Sequence, residues 1–264
     1  PFFQNSMQGI CEEASANDYD VMLVTTTASS CANLERTIAN NKVDGVILSR
    51  SLVRDRNVAL LRSQRTPFVL MGTSRDAKIL QVDNDHRAGC SELVGRMLGG
   101  GTTRVGLIGG SKNYIVNRTR RQGYEDAFKN AGVQMEAQLI FEDCDRPDRI
   151  ESAVNALIRE KVQGIVCMDD VVCSVVLRIL AEKNISVPQQ IQAASFYDST
   201  LLKNNKPAVT SLLFDDKALG ALTCRTLLRC IRGEDVERRS LLGYELAVRE
   251  STIFAQPRTE QICR

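Results

Sequence analysis

Short apolar runs alternate with longer amphipathic stretches along most of the chain. Runs at Val46–Leu48, Phe68–Met71 and Val105–Ile108 are apolar throughout or nearly so, and polar residues or glycine follow each of them. Continuous apolar runs of this kind are typical of strands buried on both faces of a parallel sheet. The stretches between them place apolar residues three and four positions apart, as a helix with one buried side does. The pattern therefore predicts an α/β fold with mostly parallel sheets.

The other predicted elements follow the same alternation. Helices are expected around residues 7–14, 34–39, 58–61, 93–98, 124–128, 150–158, 172–180 and 219–231, with Asp215 as a cap of the last. Further strands are expected at residues 21–24, 79–82, 139–141, 164–168, 191–196 and 209–214, and a half-buried strand at 244–248. A βα unit normally begins with a strand, so we also expect a strand to precede the first helix.

Three consecutive glycines at residues 99–101 divide this pattern into two similar halves. Glycines are costly to order, so the run is expected to be a linker between lobes. The expected first lobe comprises residues 1–101 and 212–238, the second comprises 102–211 and 239–255, and 256–264 form a tail. Because the late elements follow a complete second lobe, the chain is expected to cross back, giving a hinged clamp with a cleft at the sheet ends.

The segment 104–128 contains the main candidate for a binding residue. In open α/β sheets the ligand lies beyond the carboxyl ends of the strands. Arg120 falls near the start of the helix that follows such a strand, where a guanidinium can clamp hydroxyls or an anion. The alternative, which spacing alone favours, is a solvated basic turn made by Arg118, Arg120 and Arg121.

Composition excludes several classes of protein. The net charge of +2 over 264 residues gives no sign of a nucleic-acid or membrane surface. No apolar run reaches the roughly 18 residues of a membrane span, and no secretory leader opens the chain. The nine cysteines are odd in number and lack C-x-x-C spacing, which indicates buried free thiols in a reducing compartment, the cytoplasm. With one histidine, neither a catalytic triad nor a metal site is expected.

Other polar groups have simpler interpretations. Residues 109–112 lack the spacing of a phosphate loop and are expected to form a turn. His86 is expected to be an exposed residue at a helix start. Basic residues near the end of the chain are either a solvated face or part of a dimer surface. Acidic residues are expected to cap helices or stay solvated; they are Asp83, Asp85, Glu142, Asp143 and Asp145.

Several segments together resemble the ligand-binding core of lactose-repressor-type (LacI/GalR) transcriptional regulators. They are, in order, PFFQNSMQGICEEA, KVDGVILS, TPFVLMG, ILQVDNDHRAG, RVGLIGG, RTRRQGYEDAF, NISVPQQIQAASFYD, PAVTSLLFDDKALG and ELAVREST. The R-x-x-G-[FYW] block and the closing V-R-E-S-T are the most specific. The resemblance implies a periplasmic-binding-protein-like fold, with two Rossmann-like lobes joined by three crossovers and closing on a small effector. It also implies a homodimer and no cofactor.

The resemblance assigns roles to individual residues. Arg120 matches the effector-binding arginine, Phe2 and Phe3 match an aromatic pair that lines the cleft, and Asp169 matches the aspartate of the family's A-N-D motif. Asn84 matches the polar position after a strand, and Ser49 and Gly72 end strands that face the cleft.

Three positions depart from the family pattern. Tyr197 stands where an aspartate commonly accepts effector hydrogen bonds, Met168 replaces an asparagine, and Cys144 replaces an aromatic residue. These changes weaken the carboxylate set that holds sugar hydroxyls and leave Arg120 in place. They favour an anionic or less polar effector over a neutral sugar; the alternative is that effector binding has been lost.

The expected function is therefore sensing and dimerisation within a DNA-binding regulator. A sugar, sugar phosphate or other metabolite would bind between the lobes and control operator binding by a helix-turn-helix headpiece that this chain lacks. The alternative is a solute-binding protein of a sugar transport system, which would need an export signal and would tolerate nine free thiols poorly. An enzyme is not expected.

Overall fold

The computed structural model describes residues 2–27 and 30–253, which divide into two compact units. Unit 1 holds the described residues up to Ala88, together with Ser111–Gln122 and Phe214–Glu245. Unit 2 holds Gly89–Gly110, Gly123–Leu213 and the described residues from Leu246 onward. The lobe boundaries and the three crossovers expected from the sequence stay predictions, and the tail at 256–264 lies outside the described residues.

The regular elements are numbered in chain order. The strands are β1 Val46–Leu48, β2 Phe68–Met71, β3 Leu80–Asn84, β4 Val105–Ile108, β5 Ile140–Phe141, β6 Gly164–Cys167, β7 Gln192–Ser195, β8 Thr210–Leu213, β9 Arg239–Leu242 and β10 Glu245–Ala247. The helices are α1 Phe2–Ser15, α2 Ala32–Ala39, α3 Arg56–Ser63, α4 His86–Gly99, α5 Ile115–Ala131, α6 Pro147–Arg159, α7 Asp170–Glu182, α8 Thr200–Asn204 and α9 Asp216–Ile231. Short 3-10 turns cover Ala137–Leu139 and Glu250–Thr252.

The sheet of unit 1 has four strands in the order β1-β2-β3-β9, and every adjacent pair is parallel. Val69 and Val82 are fully buried on β2 and β3, where they join Leu219 of α9 in one apolar cluster. Asp215 accepts a hydrogen bond from the backbone amide of Ala218 and so caps α9, as its position in the sequence predicts. Because the strands are parallel, β1, β2 and β3 all end at one edge of this sheet.

The sheet of unit 2 has six strands in the order β10-β8-β7-β6-β4-β5. The strands from β4 to β8 pair in parallel, and their apolar residues pack against α6 and α7. The predicted α/β class with parallel sheets is thus confirmed in both units. None of the helices in the described part of the chain is both long and apolar enough to cross a bilayer.

The strand predicted at residues 21–24 is wrong. The segment has no strand structure, and Val21, Met22 and Leu23 are exposed. A strand needs a hydrogen-bonded neighbour, and the sheet of unit 1 ends at β1 among the described residues. The apolar run supplies strand propensity but no partner, so the segment does not form a strand.

Candidate functional site

The carboxyl end of β1 is connected by backbone hydrogen bonds to the start of α5. Leu52 forms an antiparallel bridge with Tyr114, and the amide of Val53 donates to the carbonyl of Asn113. The amide of Ile115, the first residue of α5, donates to the carbonyl of Ser51. The loop after β1 therefore holds the first turn of α5 at the strand-end edge of unit 1, and Arg120 lies in the second turn of that helix.

Gly72 closes β2 at the same edge and adopts φ +138°, a conformation that favours glycine. A Cβ atom at this position would lie 3.0 Å from the Ser51 hydroxyl oxygen. The glycine that the sequence assigned to a strand end is therefore required by both its backbone conformation and the close approach of Ser51. Ser49, at the end of β1, is exposed.

An aromatic wall lies at the start of α1. Phe2 is half-buried and Phe3 is 41% exposed, and their rings meet edge to face with centroids 5.3 Å apart. The Arg50 guanidinium carbon lies 4.8 Å from the centroid of the Phe3 ring and 5.4 Å from that of Tyr114. A guanidinium is attracted to the faces of both rings.

A buried polar cluster lies at the end of β3 and corrects the interpretation of His86. This histidine does begin α4, but it is buried rather than exposed, because its ring packs edge to face on Phe214 with centroids 4.7 Å apart. Its Nε2 lies 3.5 Å from a carboxylate oxygen of Asp83. Asp83 is also buried, so it is neither solvated nor a helix cap; its other oxygen accepts from the Thr73 hydroxyl. Asp85, in contrast, accepts from the amide of Ala88 in the first turn of α4.

The electrostatics of this cluster keep His86 neutral. Burial lowers the pKa of His86, the charge of Arg120 lowers it further, and Asp83 compensates only in part. Burial raises the pKa of the Asp83 carboxyl, but its hydrogen bonds with His86, Thr73 and the Asn84 amide outweigh burial and hold it below its usual range. A neutral His86 that donates from Nε2 to Asp83 presents Nδ1 as an acceptor.

Two side chains of this cluster have spare hydrogen-bonding capacity. Asn84 is 2% exposed, and neither its side-chain oxygen nor its nitrogen has a hydrogen-bond partner among the described residues. The same holds for Nδ1 of His86. Buried polar atoms are satisfied in most folded proteins, because leaving one unpaired costs about 1–3 kcal/mol. Arg120 is 8% exposed, and it is the nearby cation whose charge lowers the pKa of His86.

The depressed pKa of His86 predicts a specific pH dependence of stability. The unfolded chain binds a proton on His86 below about pH 6.5, while the folded chain does not until its lower pKa is reached. The free energy of unfolding should therefore fall as pH decreases below about 6.5, with a slope of up to about 1.4 kcal/mol per pH unit from this residue. We expect His86→Gln to lose that contribution to the slope in urea unfolding measured between pH 5 and pH 8. Equal slopes for the two proteins would contradict a buried neutral His86.

The candidate residues of unit 2 follow the carboxyl ends of its strands. Asp169 accepts from the amide of Val172 at 2.9 Å and caps α7. Met168 is buried, and its terminal carbon would lie 3.0 Å from a Cβ added at Gly109. Tyr197 is also buried, and its carbonyl accepts from the Ser195 hydroxyl at 2.7 Å.

The cysteine at this edge offers little reactivity. Cys144 is buried after β5, and burial raises the pKa of its thiol to about 11, which leaves it protonated at neutral pH. Eight of the nine cysteines lie among the described residues, and all eight are free; Cys263 lies outside them. Five of the eight are buried as expected, but Cys11 is exposed and Cys31 and Cys230 are partly exposed. No group of metal-ligating side chains occurs in the ranges that the structure describes.

Sequence reasoning missed part of the site of unit 1. It assigned no role to Arg50, and it assigned neither Tyr114 nor the pair of Asp83 and His86 to the site. The usable signal was position in the chain, since each of these residues lies close to the end of a strand or the start of a helix at one sheet edge. The contacts among them join residues far apart in the sequence and are visible only in the folded chain.

Two α/β units with polar residues at the carboxyl ends of parallel strands define a ligand-binding domain of the periplasmic-binding-protein-like class. Residues 94–252 match the model of the periplasmic binding protein-like domain, and the chain belongs to this family as the ligand-binding core of a LacI/GalR-type transcriptional regulator. The resemblance found in the sequence is thereby confirmed.

Relatives and solved structures agree with this assignment. The HTH-type transcriptional regulator RegA of Clostridium saccharobutylicum is 24% identical, with 96% of this chain and 78% of that protein covered. The regulator MalR of Streptomyces coelicolor is 26% identical, with 97% and 78% covered. A solved complex of the regulator CelR with cellobiose has a TM-score of 0.87 at 25% identity, with 95% and 79% covered. A putative LacI regulator from Bacillus cereus subsp. cytotoxis has a TM-score of 0.89 at 25% identity, with 95% and 92% covered.

Proposed function

We propose that this chain is the effector-sensing and dimerisation domain of a cytoplasmic, DNA-binding transcriptional regulator, and that its effector is a sugar or a related metabolite. The observation that carries the proposal is the cluster at the end of β3, where Asn84 and His86 keep buried hydrogen-bonding atoms beside the cation Arg120. A polar ligand satisfies such atoms, and a guanidinium clamps its hydroxyl or anionic groups.

Each candidate residue has a distinct proposed role. Arg120 supplies a charge-assisted clamp, Phe2 and Phe3 supply an aromatic surface, and Asn84 supplies an amide that both donates and accepts. Ser49, Gly72, Met168 and Cys144 shape the strand ends. Asp169 and Tyr197 orient polar groups of the effector.

Binding of the effector shifts the population of the protein towards the conformation that binds it more tightly. In the intact homodimer that shift alters how a DNA-binding headpiece engages its operator, which makes the two binding events thermodynamically coupled. The cellobiose complex of the similar regulator CelR supports a carbohydrate as the class of effector.

Two other functions fit less well. The similar proteins RegA and MalR are transcriptional regulators, which favours regulation over solute transport. Catalysis would need an activated nucleophile and a base. The one histidine, however, is buried against Asp83 and Phe214, and the Cys144 thiol has a raised pKa.

A thermal-shift screen of the chain against sugars, sugar phosphates, sugar acids and nucleobases tests this function. A compound present at about 100 times its Kd stabilises the folded state by about 2.7 kcal/mol. We expect at least one carbohydrate to raise the melting temperature in a saturable manner and to be recovered unchanged. Turnover of the compound would instead indicate an enzyme, and an absence of any stabilising carbohydrate would contradict effector sensing.

A further inference from the structure

Arg50 lies against the aromatic wall of unit 1 in a way that fixes its guanidinium. Its carbon is 4.8 Å from the Phe3 centroid and 5.4 Å from the Tyr114 centroid, and its Nη1 donates to the Tyr114 hydroxyl at 3.3 Å. A guanidinium stacked on rings keeps its N–H donors at its rim, where they form the fork that matches a carboxylate or a phosphate. Arg50 is exposed, so those donors are accessible.

The charge of Arg50 is not balanced by a carboxylate. Among the residues that the structure describes, no acidic side chain lies within ion-pair distance of it; its hydrogen-bond partner, Tyr114, is neutral. The acids of the neighbouring loops are already engaged. Asp55 accepts from the Asn57 amide as the cap of α3, and Asp83 is buried with Thr73 and His86.

A second cation lies at the same edge of this sheet. Arg120 acts on His86, which follows the end of β3, while Arg50 follows the end of β1. The strand β2 lies between β1 and β3, so these two strands are about 10 Å apart. Both cations therefore belong to the edge of the sheet beyond which the ligand of an open α/β sheet lies.

The stacked guanidinium also changes what the aromatic wall can bind. Neutral sugars commonly pack an apolar ring face on an aromatic side chain, and here one face of the Phe3 ring is covered by Arg50. A neutral sugar must displace this cation to pack on that face of the ring. An anionic sugar can bind while Arg50 stays on the Phe3 ring, and it gains a charge-assisted hydrogen bond from the guanidinium.

We propose that Arg50 is a specificity-determining residue of the effector site and that it selects an anionic carbohydrate, either a sugar acid or a sugar phosphate. This inference rests on the proposed function, because it names the ligand class of the same site. Arg50 and Arg120 together supply the positive charge that the acidic group meets, and Tyr114 and Phe3 hold Arg50 in position.

Isothermal titration of the whole chain with matched ligands tests the inference. The probes are glucose with glucuronate, glucose with glucose 6-phosphate, and cellobiose with cellobionate, each against wild type, Arg50→Gln and Arg50→Lys. Arg54→Gln is the control, since it removes an exposed charge from the same loop. We expect the acidic member of at least one pair to bind wild type at least about tenfold more tightly than its neutral partner, a preference that weakens with added salt.

The variants separate charge from stacking. Arg50→Gln should abolish the preference and leave binding of the neutral partner equal or tighter, Arg50→Lys should retain part of it, and Arg54→Gln should match wild type. Comparing the pairs that contain a sugar acid with the pair that contains a sugar phosphate identifies which anion the site selects. A wild-type protein that prefers neutral sugars, or an Arg50→Gln protein with an unchanged preference, overturns this inference alone. Binding of neither member of any pair overturns the proposed function and this inference together.

Discussion

Replacing Gly220 with alanine is expected to destabilise the protein by about 3 kcal/mol, at the upper end of what overpacking usually costs. A Cβ at Gly220 would lie 2.0 Å from the carbonyl oxygen of Ser6, and a Cβ at Gly9 would lie 2.0 Å from that of Lys217. The helices α1 and α9 therefore cross with their backbones in contact at two glycines. Because the obstructing atoms are backbone, a rotamer change cannot relieve the clash, and the helices must separate.

Gly95→Ala is the matched control for this experiment. Gly95 lies in α4, and nothing lies within 4 Å of the Cβ that alanine would add. Alanine there should stabilise the helix by about 0.5–1 kcal/mol, because glycine loses more backbone entropy on folding. Urea unfolding followed by circular dichroism measures both variants. A Gly220→Ala protein as stable as wild type would contradict the helix crossing. Since α1 begins at Phe2, the Gly220 variant should also disturb the aromatic wall.

Replacing Arg249 with leucine is expected to cost about 3–5 kcal/mol, the usual effect of removing one partner of a buried ion pair. The guanidinium binds both carboxylate oxygens of Asp198, at 2.7 and 2.8 Å, and also donates to the carbonyl of Val209 and the hydroxyl of Ser211. Both charged side chains are mostly buried. Burial raises the pKa of the Asp198 carboxyl, but the hydrogen bonds from Arg249 and Ser211 outweigh it and lower the pKa overall.

The control for Arg249 is Arg178→Leu, which removes an exposed ion pair with Glu182 and should cost at most about 0.5 kcal/mol. Since the pKa of Asp198 is lowered on folding, its contribution is present above the unfolded value near 4 and is lost as pH falls through the folded value. Adding Asp198→Asn to the Arg249→Leu protein should recover part of the lost stability, as measured by urea unfolding at pH 7. Equal losses for the Arg249 and Arg178 variants would contradict the buried pair.

Much of the fold could be predicted because apolar runs and amphipathic periodicity report directly on burial. The strands β2, β4 and β6 are continuous apolar segments, and all three are present. The strand β9 was missed because its residues alternate between exposed and half-buried positions beside charged neighbours. The strand predicted at residues 21–24 is the opposite error, a strand that the structure does not contain. An apolar run indicates strand propensity, but a strand forms only beside a hydrogen-bonded partner.

The site was less predictable, because it depends on contacts between residues far apart in the chain. The family resemblance nominated Asn84 and Gly72, whereas the position of Arg120 near a helix start made it a candidate that spacing alone left behind a solvated basic turn. The burial of His86 depends on Phe214, which belongs to a distant segment, so the local sequence suggested an exposed residue. Arg50 likewise acquires its role only when Phe3 and Tyr114 come together around it.

The central claim is that Arg120 binds the effector, and calorimetric titration of Arg120→Ala with the carbohydrate found by screening tests it most directly. Arg121→Ala, the neighbouring position on α5, is the control, and Arg120→Lys separates the charge from the guanidinium fork. With folding of each variant checked by circular dichroism, we expect Arg120→Ala to bind at least about 100-fold more weakly, Arg120→Lys to lie between, and Arg121→Ala to bind as wild type does. Wild-type affinity in a folded Arg120→Ala protein would contradict the account.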